Sequence, residues 1–198
     1  MPPVNIPHSE ALDRLVAGNA RYVSGELKHP NLAVAHRNSL ADGQSPFAIV
    51  LCCSDSRVVP ELIFDQGLGD LFVIRVAGNI IDEAVVGSIE YAVGHLGVNL
   101  VMVLGHQSCG AVGAAVAGDP TDDCIDELIA AIAPAVERVR DAPGDLLDNA
   151  VRSNVHHAIE RLIGRSTVVA PRAADGVCKV QPAYYKLADG SVSLLPEA

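Results

Sequence analysis

Three short apolar runs rich in branched residues, Phe47 to Cys53, Leu71 to Val76 and Leu100 to Leu104, constrain this chain more than any other feature. Each is too short for a helix and lacks the alternation of a half-exposed strand, so each predicts a parallel strand buried on both faces. Between the second and third, Ile81 to Leu96 sets Ile81, Val85, Ile89, Ala92 and Val93 at spacings of three and four, the pattern of an amphipathic helix. Strand, helix, strand in that order predicts an α/β fold with a mainly parallel central β-sheet flanked by helices.

The remaining segments are placed around that core. Ser9 to Ser24 predicts an opening helix with Leu12, Leu15, Val16 and Tyr22 on its apolar side, Ser9 as its cap and Gly25 as its stop. Gly25 to Pro46 is polar and weakly periodic, so 1–45 is expected to form an N-terminal helix and arm that lies over a neighbour, and 46–198 the α/β core of one domain, 1–198. Gly110 to Ala117 reads as a small-residue helix, Cys124 to Arg140 and Asp145 to Ile163 as longer ones, with Asp119-Pro120 and Pro143-Gly144 as punctuation. Thr167 to Ala170 fits a strand or a helix start capped by Ser166. Val177 to Leu187 and Ser191 to Leu195, joined across Ala188-Asp189-Gly190, predict a C-terminal antiparallel hairpin.

Composition narrows the classes of function. The 198 residues carry 24 acidic and 14 basic side chains, a net charge of −10, with the basic residues scattered, which excludes nucleic acid and anionic membrane as main partners. No run of 18 uninterrupted apolar residues occurs, because Gly94, His95 and Asn99 break the longest candidate, so no membrane span is expected. With 49% apolar residues and 19% charged ones, apolar surface is expected to remain for a symmetric subunit contact. Five cysteines in no framework spacing, after a start without a basic and apolar leader pattern, predict a reduced, cytoplasmic protein.

Two segments place reactive side chains just after buried strands, where open α/β sheets put their ligand sites: Cys53-Ser54-Asp55-Ser56-Arg57 and Gly105-His106-Gln107-Ser108-Cys109-Gly110. If their strands are neighbours, Cys53, His106 and Cys109 meet. Two thiolates and one imidazole suit Zn²⁺, and three protein ligands leave a tetrahedral position open for water. Asp55 and Arg57 project to the same side of an extended loop and can form a two-point ion pair. Cys52 points to the opposite face of its strand and is expected in the core, as are Cys124 and Cys178. Gly110 starts a helix whose dipole favours the Cys109 thiolate, and Gly78-Asn79 offers backbone at the pocket floor. His156 and His157, adjacent on a helix, diverge by about 100° and are taken as surface residues.

With these residues in view, the chain resembles the β-class carbonic anhydrases over about Ser9 to Leu195. The carrying motifs are Cys53-Ser54-Asp55-Ser56-Arg57, Gly105-His106-x-Ser108-Cys109-Gly110, Arg75-x-Ala77-Gly78-Asn79 and Ser88-Ile89-Glu90-Tyr91-Ala92. The resemblance implies Cys53, His106 and Cys109 as zinc ligands and Asp55 and Arg57 as the dyad beside the metal, with Asp55 able to become a fourth ligand in a closed state. It also implies a carbon dioxide pocket lined by Gln44, Phe72, Ala77 and Tyr91, the glutamine supplied across a dimer interface. The implied assembly is a homodimer or a dimer of dimers. The implied reaction is reversible hydration of carbon dioxide to bicarbonate and a proton by attack of zinc-bound hydroxide.

One subset of the family, regulated by bicarbonate, carries tryptophan three positions before the first zinc cysteine. Val50 stands there in this chain, which counts against that subtype. Arg75 matches a family arginine, with a strand-end salt bridge as its simpler role. Two alternatives use the same residues: hydrolysis of carbonyl sulfide or carbon disulfide, and a noncatalytic zinc- or bicarbonate-binding module.

Overall fold

A computed structural model describes residues 6–118 and 124–197. The expected strands form a five-stranded sheet in which β1 (Ala48–Cys52) lies between β2 (Leu71–Arg75) and β3 (Leu100–His106), followed by β4 (Lys179–Tyr185) and β5 (Val192–Leu194). The first four are parallel and β5 runs antiparallel to β4, closing the hairpin that the sequence predicts. Every residue of β1 and β3 is buried, as their unbroken apolar runs require.

Strand parity divides the core in two. Ile49, Leu51, Val101 and Val103 face the larger cluster, while Ala48, Val50, Cys52, Leu100, Met102 and Leu104 face the other. The larger face is covered by α4 (Glu83–Gly94), α5 (Gly110–Ala117), α6 (Ile125–Glu137), α7 (Leu146–Arg165) and α8 (Val169–Ala174). The second face is covered by α1 (His8–Ser24) and the short α3 (Pro60–Ile63), which the sequence pattern missed because four residues carry no period. Cys53 continues the parity of Ile49 and Leu51 and joins the larger cluster, whereas Cys52 joins the smaller.

Several expectations are corrected. α1 begins on Pro7 with no side-chain cap, so Ser9 is not its cap, and Val16 is 48% exposed because the buried stripe runs through Ala11, Leu15, Gly18 and Asn19. The arm contains one more helix, α2 (Val34–Ser39). Cys124 is exposed, because the apolar stripe of α6 is buried only from Ile132 onward. His157 is buried, because α7 packs against both α6 and the sheet and so buries more than a single stripe. Ser166 resolves the open alternative: its hydroxyl accepts from the Val168 and Val169 N–H groups and starts α8. Asp119-Pro120 lies outside the described residues. Among the described residues, no helix is long and apolar enough to cross a membrane.

Candidate metal centre

β1 and β3 are adjacent and parallel, with Cys52 opposite Leu104, so both carboxyl ends open on one sheet edge. Cys53 follows β1 directly and His106 is the last residue of β3. Two residues later, Ser108 sits in the left-handed region at φ 54° and turns the chain so that Cys109 leads into α5. The ligand atoms of Cys53, His106 and Cys109 all lie within 4.8 Å of one another, and all three residues are buried.

The donor set fits a cation. His106 is fully buried, and its Nδ1 is 2.9 Å from the Gln107 carbonyl oxygen. Donation there leaves Nε2 with a free lone pair, and Nε2 is buried without a hydrogen-bond partner. An orphaned acceptor aimed at two thiols costs stability unless a Lewis acid uses it. The two Sγ atoms are 4.0 Å apart, against roughly 3.8 Å for two sulfurs bound tetrahedrally at ~2.3 Å to one Zn²⁺. The contact between the two sulfurs, with burial, raises the pKa of Cys109, while the same contact and the Gly78 N–H lower that of Cys53.

Asp55 and Arg57 stand at the mouth of this cluster. The Arg57 guanidinium donates through Nε to Oδ1 at 2.9 Å and through Nη2 to Oδ2 at 2.7 Å, and the Arg57 backbone N–H also donates to Oδ1 at 2.9 Å. These donors hold the Asp55 carboxyl well below the usual carboxylate range. Its Oδ2 lies 3.9 Å from His106 Nε2, so the carboxylate borders the metal-ligand cluster while remaining engaged with arginine. Arg75 binds carbonyls here: its guanidinium donates to the Cys53 oxygen at 3.3 Å and the Asp55 oxygen at 2.7 Å, pinning the loop that carries both.

The remaining residues of the expected pocket are spread more widely. Ala77 and Gly78 lie in the 3₁₀ turn Ala77–Asn79 after β2, and the Gly78 N–H donates to Cys53 Sγ at 3.4 Å. Phe72 and Tyr91 meet with ring centroids 6.2 Å apart. Gln44 lines a surface hollow of about 450 Å³ with Tyr91, Leu40 and Leu96 of its own chain. The partners of Arg75, the orphaned Nε2 and the Gly78 contact escaped sequence reasoning, although Arg75 and Gly78 both stand in a motif already singled out.

Comparison with known proteins agrees with this geometry. The family model described as carbonic anhydrase matches residues 48–192. Carbonic anhydrase 2 of Mycobacterium tuberculosis is 44% identical over 184 residues, covering 91% of this chain and 89% of the relative. The carbonic anhydrase of Mycolicibacterium smegmatis is 42% identical over 181 residues, covering 89% and 88%. Among solved structures, the β-carbonic anhydrase CcaA superposes with a TM-score of 0.74 at 27% identity, over 93% of this chain and 95% of that one. The β-carbonic anhydrase CafA of Aspergillus fumigatus gives 0.75 at 27% identity, over 96% and 91%. These relatives favour carbon dioxide as substrate over its sulfur analogues. The chain belongs to the β-class carbonic anhydrases and is an enzyme of reversible carbon dioxide hydration.

Proposed function

We propose that Cys53, His106 and Cys109 hold one Zn²⁺ and that Asp55 and Arg57 orient the reactants beside it. The carrying observation is the buried, partnerless Nε2 of His106 facing two thiols within 4.8 Å. When bound, Zn²⁺ supplies the Lewis acidity that makes a water molecule an effective nucleophile near neutral pH. Two thiolates offset the formal charge of the cation, so the surrounding residues carry more of the burden than around three imidazoles.

Asp55 is the acceptor in this reading. With both oxygens engaged by Arg57 it stays ionised, and it would accept a hydrogen bond from the O–H left on the nucleophile, which turns the lone pair of that oxygen toward carbon. Arg57 also reaches the Ser108 carbonyl at 3.4 Å, linking the two strand-end loops. Phe72, Ala77, Gly78 and Tyr91 supply the apolar slot for carbon dioxide, with Gln44 as its polar contact from a partner subunit. If Arg57 lets go, Asp55 can take the fourth position and close the site.

The whole chain, 1–198, acts as one domain in this reading, because the sheet collects strands from residue 48 to residue 194. Self-association as a homodimer or dimer of dimers is supported by the position of β2 at one edge of the sheet and by the exposed apolar side chains of Leu32, Val34, Leu62, Leu68 and Tyr91. A reducing, cytoplasmic setting keeps the two ligand thiols available. Stopped-flow hydration of carbon dioxide, before and after chelation and zinc return, tests the assignment: activity that follows zinc supports it, and full activity in zinc-free protein refutes it.

A further inference from the structure

Asn154 is a buried amide with no obvious reason to sit where it does. It is 2% exposed on α7, among Ala150, Val151, Val155 and Ala158, on a face where an aliphatic side chain would be the ordinary choice. Its Nδ2 donates to the Gly78 carbonyl oxygen at 2.8 Å. Gly78 in turn donates its own N–H to Cys53 Sγ at 3.4 Å. A single glycine thus receives a hydrogen bond from α7 on one side and gives one to a proposed zinc ligand on the other.

The surrounding packing makes this link stiff. Gly78 adopts φ 66° and ψ 15°, a left-handed conformation, and a Cβ there would lie 2.6 Å from Ile132 Cδ1 and 3.2 Å from Ala111 Cβ. The turn is therefore pressed between α5 and α6 with no room for a side chain. α7 reaches the turn because Gly105 lets it approach: a Cβ on Gly105 would lie 2.6 Å from Val155 Cγ2 and 3.1 Å from Val151 Cγ1. Two glycines, one in the turn and one at the end of β3, give the amide its reach.

The chemistry of a two-thiolate site gives this link a use. An N–H directed at a ligand sulfur draws charge from it, weakens its donation and leaves more Lewis acidity on the cation. We infer that Asn154 is a positioning residue for catalysis: by holding the Gly78–Asn79 peptide it fixes the backbone torsions of Gly78, so that the preceding Ala77–Gly78 peptide keeps its N–H aimed at Cys53 and sets how strongly that sulfur donates to the metal. The inference rests on the reading of Cys53 as a zinc ligand.

The test uses full-length protein loaded with Co²⁺ in place of Zn²⁺, with zinc affinity measured separately by chelator competition. Asn154→Leu keeps the branched shape of the side chain and removes the donor. Its sulfur-to-cobalt charge-transfer band is expected at lower energy than in the unsubstituted protein, because the sulfur donates more strongly, while zinc affinity falls by about tenfold or more because the turn no longer holds Cys53 in place for the metal. Leu162→Ala, a cavity on the same helix away from the turn, is expected to lower the melting temperature and leave band and affinity unchanged. If Asn154→Leu does not fold, Asn154→Ser, which empties the space instead of filling it, carries the same expectation. A folded Asn154 variant with the unsubstituted band and affinity overturns the inference, as does a matching shift in Leu162→Ala. Failure of the unsubstituted protein to take up one cobalt would instead defeat the zinc-site reading on which it rests.

Discussion

The edge of the sheet that carries Cys53, His106 and Cys109 and the arm from Glu26 to Pro46 are held by different physics. At the sheet edge, each ligand is at most 5% exposed, and the fixing contacts come from β2, α7 and the two strand-end loops. The arm is mostly exposed and is tied down at separate points: Asn31 Nδ2 donates to the Asp70 carboxylate at 2.9 Å, His36 Nε2 lies 3.0 Å from the Leu68 carbonyl oxygen, and Asp65 holds the stretch at Lys28 and His29. Asp65, buried and at φ 46°, accepts from Arg21 Nε at 2.5 Å, from the Lys28 N–H at 3.1 Å and from the His29 N–H at 2.9 Å. The site is therefore cross-braced within a few ångströms, whereas the arm is pinned at scattered points along an exposed length. Chemistry that needs fixed geometry belongs at the first, and a surface that can adjust to a neighbour belongs at the second.

The contrast is broken most severely by removing a ligand. Cys53→Ser or His106→Ala should lose stoichiometric zinc, read by elemental analysis, and reduce hydration to the buffer background. A smaller effect is expected from Asp55→Asn, which keeps the ligand set: zinc content stays at one, and kcat falls roughly 10²-fold because the carboxylate charge is lost and one of its two acceptor oxygens becomes an N–H donor. Arg57→Gln should move in the same direction, since it frees Asp55 from its two-point hold.

On the arm, Asp65→Ala should cost about 3 kcal/mol of unfolding free energy, because a buried ion pair and two backbone donors lose their partner, while zinc content is unaffected. Burial opposes ionisation of Asp65, but Arg21 and the Lys28 and His29 N–H groups overcome it and hold its pKa below the ordinary value of 3.8. A carboxyl lowered on folding stabilises fully above its unfolded pKa and loses that contribution as pH falls through the folded one. Denaturant titrations from pH 7 to pH 3 should therefore show the difference between Asp65→Ala and the unsubstituted protein shrinking on the acid side. A constant difference would remove Asp65 as an anchor of the arm. The smallest effect on the subunit itself is expected from Leu32→Glu with Val34→Glu, both 62% exposed: its stability should stay within about 0.5 kcal/mol, while sedimentation should show weaker self-association.

What the sequence revealed follows the same division. Buried parallel strands announce themselves through unbroken apolar runs, and residues just beyond them inherit a known face, so Cys53, His106 and Cys109 were legible as a meeting point before any coordinates. The Asp55 and Arg57 pair was legible because two residues in one loop need no tertiary information to find each other. The arm was not legible, since its contacts are distant in sequence and carry no motif: Asp65 lies 37 residues from Lys28, and Asp70 lies 39 from Asn31. Asn154 was hidden for a similar reason: a lone asparagine in a helical pattern reads as solvent-facing until Gly105 is seen to bring α7 against the turn. His157 and Cys124 were misplaced because burial on a helix depends on how many neighbours it has, which periodicity alone does not state.

The central claim is that two sulfurs and one imidazole nitrogen grip a single zinc ion and leave room for one more light atom. X-ray absorption at the zinc edge of the active protein at neutral pH tests it most directly. Two sulfur scatterers at ~2.3 Å with two nitrogen or oxygen scatterers near 2.0–2.1 Å are expected. A shell without sulfur, or one filled by four sulfurs, would contradict the account.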